Sequence, residues 1–394
     1  MSYRYLLLGA GRQGVAAAYD LGRFGDAKAI IVADISPNAA RTAAARLNQL
    51  LDRDVASPLP LDASSAAAVR RAFEGVDGCL NSVHYGLNAA LTRVAIAAGV
   101  NMTDLGGNTG VVREQLQQDE AARAAGVTIV PDCGMGPGLN ISLATYVMDL
   151  LDEAHDVRIW DGGLPQQPDA PWNYALTFNI AGLTNEYAGH ATFLRDGKLT
   201  EVPCFDDLER IEFPELGALE AFVTSGGLST APWTFQGRLR RLENKTIRYP
   251  GHAAMFKAFV ALGLLGTEPI DVGTARVAPR DVLHALLEPR ISHADVHDVC
   301  VMRVRCDGVK DGKPAAATVE LIDRYDPATG FTAMQRLTGW HASIMLIAAV
   351  TRQISPGVIS VERALSGAAV VDEVRRRGFA LRTSVEVPTS MTAC

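Results

Sequence analysis

The N-terminal third of the chain alternates short apolar runs with alanine-rich segments of helical period. The runs have the length and the β-branched content of buried strands, and the segments between them, such as AARTAAARLNQLL and LNAALTRVAIAAG, have helical composition. The predicted strands are YLLLG, AIIVAD, the stretch around VASPLPLD, GCLNSV, NMTDL and VTIVPD. Because strands that alternate with helices form parallel sheets, this region predicts an α/β domain, a doubly wound parallel sheet of Rossmann type.

The pattern changes after about Leu151, where strands are separated by longer gaps. The predicted strands here are VRIWDGG, WNYALTFNI, HATFLRDGKLTEV, VCVMRVRC and ATVELIDRYD. The last of these alternate apolar and polar residues, which predicts a second α+β domain with a mixed or antiparallel sheet. Near Trp340 the pattern returns to an apolar helix, HASIMLIAAVTRQI, with a shorter helix near 361–365. The predicted domains are 1–132, completed by C-terminal helices 340–370, and 133–339.

Composition restricts the classes of function. Of the 394 residues, 48% are hydrophobic and 21% charged, and the net charge of −7 lacks the basic excess expected of a nucleic-acid-binding protein. No run approaches the roughly 18 apolar residues of a membrane span, and the N-terminus does not resemble a signal peptide. The six cysteines are scattered without a CxxC pair, which favours reduced thiols. We therefore expect a cytoplasmic protein that binds neither nucleic acid nor membrane.

A glycine motif opens the first helix. LLLGAGRQG places Gly9, Gly11 and Gly14 in GxGxxG spacing directly after a strand. The first glycine permits a tight turn, the second lets the backbone approach a pyrophosphate, and the third lets helix and strand pack closely. Asp34 ends the next strand, about 20 residues further on, where an acidic residue binds the ribose hydroxyls. The motif predicts a dinucleotide cofactor.

Asp34 also bears on the choice of dinucleotide. Its carboxylate would repel a 2′-phosphate and no arginine follows it directly, so NAD is favoured over NADP, although Arg41 keeps NADP open. Residues after the third and fourth strands are expected near the cofactor because ligands bind at the carboxyl ends of parallel strands. For Asp62, capping of the following helix is an equal alternative. The predicted cofactor contacts are Gly9, Gly11, Arg12, Gln13, Gly14, Asp34, Asp62, Ser82, Val83, His84 and Leu105.

A second group of polar residues occurs in ENKTIRYPGHAAMF. KTIRY alternates like a strand, and Pro250-Gly251 turns it into an apolar helix, so that Arg248, Tyr249 and His252 stand at a strand-to-helix junction. Arginine matches a carboxylate, and imidazole titrates near neutrality. The junction therefore suits an acidic substrate that exchanges a proton; the alternative is a salt-bridged arginine and a capping histidine.

The histidines of SHADVHD lie four residues apart, at His293 and His297. On a helix this spacing would suit a metal. The segment follows Pro289 and precedes a strand, with no third ligand cluster nearby, so we predict no metal site.

The sequence resembles the saccharopine dehydrogenase-like family, and within it most closely the L-lysine 6-dehydrogenase branch, over nearly its whole length. The resemblance is carried by LGAGRQG, TDLGGNTGVV, IVPDCGMGPGLNI, GGLPQQP, WNYALTFNIAGLTNEY, RDGKLTEVP, LEAFVTSGG and NKTIRYPGH. It implies NAD-dependent oxidative deamination of the lysine ε-amine to allysine, which cyclises to a piperideine carboxylate. It also implies a homo-oligomer, a dimer or higher, built through the second domain.

In the matching stretches, we expect His252, Asp104 and Tyr174 around the reacting carbon, with Lys245 as a weaker candidate base. The expected substrate contacts are Arg248, Tyr249, Thr246 and Asn173. Two alternatives stay open. One is a saccharopine, opine or carboxynorspermidine dehydrogenase of the same fold, and the other is an NAD-binding sensor or scaffold without turnover.

Overall fold

The computed structural model of the chain describes residues 2–293 and 295–387, which form two compact units. The first unit takes the chain through Tyr146, together with Ser229–Ala231 and Gln335–Phe379. The second unit takes Val147–Leu228, Pro232–Met334 and the chain from Ala380. The observed division falls at Tyr146, whereas the sequence placed it after residue 132.

The helices and strands follow one another in chain order. The first part forms β1 (Tyr3–Leu8), α1 (Arg12–Phe24), β2 (Ala27–Asp34), α2 (Pro37–Leu51), β3 (Ala56–Pro60), α3 (Ala66–Ala72), β4 (Gly78–Asn81), a 3₁₀ turn (Tyr85–Leu87), α4 (Asn88–Ala98), β5 (Asn101–Asp104), α5 (Thr109–Leu116), α6 (Asp119–Ala125), β6 (Thr128–Val130) and α7 (Leu139–Asp149). The middle forms β7 (Glu153–Pro165), α8 (Ile180–Glu186), β8 (His190–Arg195), β9 (Lys198–Pro203), β10 (Glu209–Phe213), β11 (Gly217–Val223), α9 (Ala231–Phe235), β12 (Arg241–Arg248), α10 (His252–Ala261), β13 (Ile270–Val272), β14 (Ala275–Val277), α11 (Pro279–Ile291), β15 (Asp298–Lys310) and β16 (Lys313–Arg324). The last part forms α12 (Ala333–Val350), β17 (Gly357–Val358), α13 (Val361–Ala364), α14 (Gly367–Arg376) and β18 (Leu381–Glu386).

The first unit is built on a parallel sheet. Within the described residues, its seven strands lie in the order β3-β2-β1-β4-β5-β6-β17, and every pair is parallel. The interior strands read as continuous apolar runs because helices cover both faces of such a sheet. This confirms the predicted doubly wound domain and its six predicted strands. The strand order is that of dinucleotide-binding folds, which bind their ligand at the carboxyl ends of the strands.

The second unit contains a mixed sheet. In the part of the chain that the structure describes, nine strands form it, with the path β10-β11-β12-β7-β15-β16-β18 and with β8 joining β12 to β9. β12 and β7 are parallel and the other pairs are antiparallel. The predicted second α+β domain is therefore confirmed. The prediction of a strand at WNYALTFNI is wrong. This stretch forms a turn and an irregular segment that leads into α8.

The faces of β12 carry different chemistry. Because side chains alternate along a strand, Asn244, Thr246 and Arg248 share one face, and Glu243 and Lys245 share the other. A buried cluster with many aromatic side chains lies where α8, α10 and α11 pack, and it includes Tyr174, Tyr187, Phe205, Phe222, Phe256 and Leu287. The face of β12 that carries Asn244, Thr246 and Arg248 therefore places polar side chains beside a set of aromatic rings.

None of the helices in 2–293 and 295–387 combines the length and the apolar character that crossing a membrane requires.

Candidate functional site

The glycine loop between β1 and α1 has the geometry that each glycine role demands. Gly9 has a φ of +92°, which residues with a Cβ rarely adopt. A Cβ on Gly14 would stand 2.3 Å from Ser82 Oγ and 2.5 Å from the Gly9 carbonyl oxygen, so helix and strand approach closely there. A Cβ on Gly11 would meet no atom within 4 Å. The loop therefore leaves open space beside Gly11, at the N-terminus of α1, where a pyrophosphate would bind.

Asp34 lies at the end of β2 and is tied to this loop. Its Oδ2 accepts a hydrogen bond from the Ala10 backbone N–H at 2.8 Å, and its Oδ1 accepts one from Ser36 N–H at 2.8 Å. The side chain remains partly exposed. Each carboxylate oxygen keeps a further lone pair, so the residue retains acceptors for ribose hydroxyls while it holds the loop in place.

The other predicted cofactor residues have different surroundings. Ser82 Oγ lies 2.9 Å from the Leu8 carbonyl and 2.8 Å from that of Gly9, which makes Ser82 a support of the glycine loop. Asp62 is exposed and accepts hydrogen bonds from Ser64 N–H and Oγ at 2.9 and 2.7 Å, but the N-cap of α3 is Ser65, so Asp62 does not cap that helix. The remaining residues lie around the same carboxyl edge: Arg12 and Gln13 begin α1, Val83 and His84 follow β4, and Leu105 follows β5.

Asp104 ends β5 and is fully buried within the first unit. Its Oδ1 accepts hydrogen bonds from Gly106 N–H at 2.8 Å and Asp132 N–H at 3.2 Å, and its Oδ2 accepts one from Gln115 Nε2 at 2.8 Å. Burial raises the pKa of Asp104, against the opposing effect of these donors. Each contact joins segments of the first unit, and the geometry favours a structural role for this carboxyl.

The second unit contains a buried chain of polar groups. Arg248, at the end of β12, donates from Nε to the Tyr187 hydroxyl at 2.9 Å and from Nη1 to the Ile247 carbonyl at 2.9 Å. The Tyr187 hydroxyl lies 2.8 Å from Nε2 of His252, the first residue of α10. Arg248 is 3% exposed and His252 2% exposed. The structure therefore brings together two of the residues that the sequence placed at this junction.

The arginine determines one hydrogen-bond direction. A guanidinium only donates, so the Tyr187 oxygen accepts from Arg248, and its own proton can be donated to Nε2 of His252 when that nitrogen carries no proton. Burial, reinforced by the charge of Arg248, lowers the pKa of His252 well below its usual 6.5, while the Trp172 backbone acts in the opposite direction. His252 is thus neutral at physiological pH. It positions Tyr187 and Arg248.

Two further side chains surround the guanidinium. Nη2 of Arg248 lies 3.8 Å from Oε2 of Glu186, whose side chain is 34% exposed. Burial raises the pKa of Glu186 to about 7; the charge of Arg248 opposes this shift and that of Asp161 adds to it. The Tyr174 ring lies 5.1 Å from Cζ of Arg248 and 5.2 Å from the His252 ring. Its buried hydroxyl has no hydrogen-bond partner among the described residues.

The other predicted substrate residues have different neighbours. Thr246 shares the Arg248 face and bonds through Oγ1 to that of Thr224 at 2.7 Å. The Tyr249 hydroxyl donates to the Pro165 carbonyl at 2.9 Å. Asn173, with φ of +47°, forms the turn that precedes Tyr174. Lys245 lies on the opposite face of β12 and pairs with Glu209 at 3.0 Å, so it cannot act as a base beside Arg248.

Sequence reasoning missed Glu186 and Tyr187. Both stand in NEY, a short polar stretch at the end of α8, and neither has a local pattern that marks it as functional. Their contacts with β12 are made across about 60 residues of chain. Asp161 of β7 was also missed; it is buried and accepts a hydrogen bond from Asn244 Nδ2 at 2.9 Å. The register of β7 beside β12 brings this carboxyl to the Thr246 position.

The paired histidines of SHADVHD do not form a helix face. α11 ends at Ile291 and β15 begins at Asp298, so His293 and His297 flank a linker that includes position 294, which lies outside the described residues. The ring of His297 stacks on that of Tyr325 at 4.0 Å between centroids. Across the described parts of the chain, no group of three or more His, Cys, Asp or Glu residues could hold a metal ion.

Both units match family profiles of known proteins. The profile described as the saccharopine dehydrogenase NADP binding domain matches residues 5–130, and the profile described as the saccharopine dehydrogenase C-terminal domain matches residues 134–379. Together with the glycine loop and the strand order, these matches define a dinucleotide-binding protein of the dehydrogenase type. The chain belongs to the saccharopine dehydrogenase family.

Similar proteins share this family at low identity. Saccharopine dehydrogenase (NADP(+), L-glutamate-forming) of Schizosaccharomyces pombe is 21% identical over 384 residues, which cover 78% of this chain and 82% of that protein. The same enzyme of Pyricularia oryzae is 24% identical over 233 residues, or 54% and 48% of the two chains. Bovine mitochondrial alpha-aminoadipic semialdehyde synthase is 27% identical over 206 residues, or 49% and 22%. The match to these last two spans about half, or less, of their length.

Solved structures share the fold. Apo saccharopine dehydrogenase (L-Glu forming) from Saccharomyces cerevisiae superposes with a TM-score of 0.78 at 18% identity, covering 98% of this chain and 100% of that one. Homospermidine synthase from Legionella pneumophila, in complex with NAD, gives 0.68 at 13% identity, covering 100% and 93%. Since both identities are low, the likeness concerns the fold.

Proposed function

We propose that the protein is an NAD-dependent amino-acid dehydrogenase that oxidatively deaminates the ε-amine of L-lysine to allysine, with release of ammonia. The observation that carries the proposal is the buried Arg248, which two hydrogen bonds hold in place on the polar face of β12. A fixed guanidinium beside aromatic rings suits the carboxylate of a small acidic substrate.

The first unit fits a dinucleotide. Gly11 borders open space at the start of α1, and Asp34 keeps acceptors for ribose hydroxyls at the end of β2. When bound there, the oxidised nicotinamide supplies a hydride acceptor. The preference for NAD rests on the carboxylate of Asp34, which disfavours a 2′-phosphate.

The residues of the second unit orient the substrate. Arg248 holds the α-carboxylate, and the four-carbon side chain of lysine sets the distance from this anchor to the ε-carbon. Nη2 is the end of the guanidinium that the Tyr187 and Ile247 contacts leave available, so the carboxylate approaches that end. The ε-amine must be neutral before its carbon loses a hydride, so turnover depends on the ionisation of the amine.

A saccharopine-type reaction is the second candidate, and the names of the relatives favour it. Saccharopine carries an additional glutamyl arm with its own carboxylates. Within the described residues, the contacts of the Arg248 cluster include one guanidinium, which matches one carboxylate. This charge balance favours lysine.

A screen for NADH production across amines and amino acids, with saccharopine included, tests the reaction. We expect lysine to give the highest kcat/KM, and Arg248→Ala to lower that value by roughly tenfold to more than a hundredfold, as a lost charge-assisted hydrogen bond would. Arg248→Lys should restore only part, because an ammonium does not reproduce the planar fork. A parent enzyme that oxidises saccharopine and leaves lysine unchanged would replace the first candidate by the second.

Cadaverine provides the control, because it has the chain of lysine without the carboxylate. It should be a poor substrate of the parent and lose little further in Arg248→Ala. Equal losses for lysine and cadaverine would assign Arg248 to the fold. Bound NAD without NADH formation from any amine would instead favour a sensor or scaffold.

A further inference from the structure

Glu186 and Arg248 form an ion pair that is not a hydrogen bond. Their closest atoms, Oε2 and Nη2, are 3.8 Å apart, beyond ordinary hydrogen-bond distance. The two side chains also differ in access, since that of Glu186 is 34% exposed and that of Arg248 is 4% exposed. The pair therefore places a carboxyl group and a guanidinium side by side, each with hydrogen-bonding capacity that the other does not use.

The arginine is fixed and its remaining donors point in a defined direction. Nε and Nη1 are occupied by the Tyr187 hydroxyl and the Ile247 carbonyl. Because a guanidinium is planar, these two bonds determine where Nη2 lies. The charge next to Glu186 is thus preorganised, which lowers the entropy lost when an anion binds.

An independent observation indicates a ligand at the same place. The Tyr174 hydroxyl is buried and has no hydrogen-bond partner in the described parts of the chain, and its residue is 4% exposed. Buried hydroxyls without a partner are uncommon in folded proteins. The ring of Tyr174 lies 5.1 Å from Cζ of Arg248. A ligand oxygen bound to Arg248 would give this hydroxyl an acceptor.

We propose that Glu186, Arg248 and Tyr174 form a clamp for the zwitterionic end of an α-amino acid. Arg248 and Tyr174 bind the α-carboxylate, and Glu186 binds the α-ammonium. This inference rests on the proposed function and deepens it by naming the class of substrate. A polyamine has no carboxylate for the arginine, and a dicarboxylic acid without an amine leaves Glu186 beside a second negative charge, so the clamp selects amino acids.

Three amines test the two halves of the clamp separately. Lysine carries both α-groups, 6-aminohexanoate lacks the α-amine, and cadaverine lacks the α-carboxylate. Glu186→Gln should weaken lysine and cadaverine by about tenfold to a hundredfold in KM and leave 6-aminohexanoate nearly unchanged. Arg248→Ala should weaken lysine and 6-aminohexanoate and spare cadaverine. Tyr174→Phe, which keeps the ring, should follow Arg248→Ala with a smaller loss.

Glu212→Gln is the matched control, since Glu212 belongs to the same unit and pairs with Arg210 at 2.9 Å on the surface. It should change none of the three KM values. Equal losses for all three amines in Glu186→Gln would overturn the clamp and assign Glu186 to the fold. If Glu186→Gln does not fold, Tyr174→Phe still tests the carboxylate half of the clamp, and equal losses for all three amines in that variant would overturn the clamp.

Calorimetric titration of the NAD-loaded protein with the same amines separates the clamp from the reaction. If lysine binds and the variants show the expected pattern, but no NADH forms, the clamp stands and the proposed deamination falls. If lysine does not bind to the folded protein, the clamp itself is overturned.

Discussion

At the scale of single residues, burial determines what His252 can do. Its Nε2 lies 2.8 Å from the Tyr187 hydroxyl, and burial together with the charge of Arg248 keeps the pKa of the imidazole low. A group with a lowered basic pKa is already neutral at and above pH 6.5, so its ionisation contributes no change in this range. The amine of free lysine has a pKa of about 10.4. Above neutrality we therefore expect turnover to follow the ionisation of the substrate amine, and Glu186, whose pKa burial raises to about 7, becomes charged at the start of the same range.

We expect activity on lysine to rise steadily from neutral to alkaline pH. The shape of this pH dependence should be the same in the parent and in His252→Asn. The variant should lose turnover at every pH, because Tyr187 and Arg248 lose their support. A pH profile of kcat/KM for both proteins measures this. An inflection near pH 6.5 that disappears in His252→Asn would instead make the imidazole a titrating base.

Tyr187→Phe tests the same network from its centre. Removal of the hydroxyl takes away the acceptor of Arg248 Nε and the hydrogen-bond partner of His252 Nε2, while the ring stays in the aromatic cluster. We expect kcat/KM for lysine to fall by roughly tenfold or more. Tyr249→Phe is the comparison, because its hydroxyl bonds to the Pro165 carbonyl. Similar losses in both variants would contradict a special role for the Tyr187 hydroxyl as the link between Arg248 and His252.

We predict that Asp34 determines cofactor choice. Asp34→Ala removes the acceptors for ribose hydroxyls and the charge that repels a 2′-phosphate, so binding of NAD should weaken and discrimination against NADP should relax. Fluorescence titration with NADH and NADPH measures both. Asp54→Ala, at an exposed position that bonds to Asn48, should change neither affinity. Unchanged affinities in Asp34→Ala would remove the assignment.

At the scale of elements, the loop between β1 and α1 assigns different tasks to neighbouring glycines. Gly11→Ala adds a methyl group where no atom lies within 4 Å, so we expect an unchanged melting temperature and weakened NAD binding. Gly14→Ala forces a methyl group against Ser82 and the Gly9 carbonyl, and such overpacking costs about 1–3 kcal/mol of the free energy of unfolding. Melting curves with and without NAD distinguish the two. A stable Gly14→Ala or an unstable Gly11→Ala would contradict this division.

The elements that the sequence predicted are those with a local signal. β1–β6 combine a period, a length and flanking helices, and the glycine spacing fixes the turn before α1. WNYALTFNI has β-forming residues, but turn geometry at Asn173 and close packing of Tyr174 against Arg248 override that preference. The Glu186–Arg248 pair depends on how α8 approaches β12. Contacts between segments so far apart in sequence have no periodic signature.

At the scale of the whole molecule, the first unit is built from segments that are distant in sequence. α12 packs so closely on α1 that a Cβ on Gly339 would lie 2.7 Å from the Ala17 nitrogen. The Trp340 indole also donates to the Ala16 carbonyl at 3.2 Å. The C-terminal segment therefore completes the core beneath the glycine loop, and the stability of the cofactor domain depends on residues more than 300 positions away.

The ion pair between Asp20 of α1 and Arg377 tests this dependence. Both side chains are fully buried, and Nε of Arg377 lies 2.9 Å from each carboxylate oxygen. Arg377→Met leaves the Asp20 charge without its partner, and breaking a buried pair in this way costs about 3–5 kcal/mol of the free energy of unfolding. Combining it with Asp20→Asn should recover part of the loss, because no buried charge then remains.

Arg376→Met removes an exposed pair with Glu373 and should cost less than about 1 kcal/mol. Urea unfolding of the four proteins measures these differences; an Arg377→Met variant as stable as Arg376→Met would show that the C-terminal segment does not hold the first unit together through this pair.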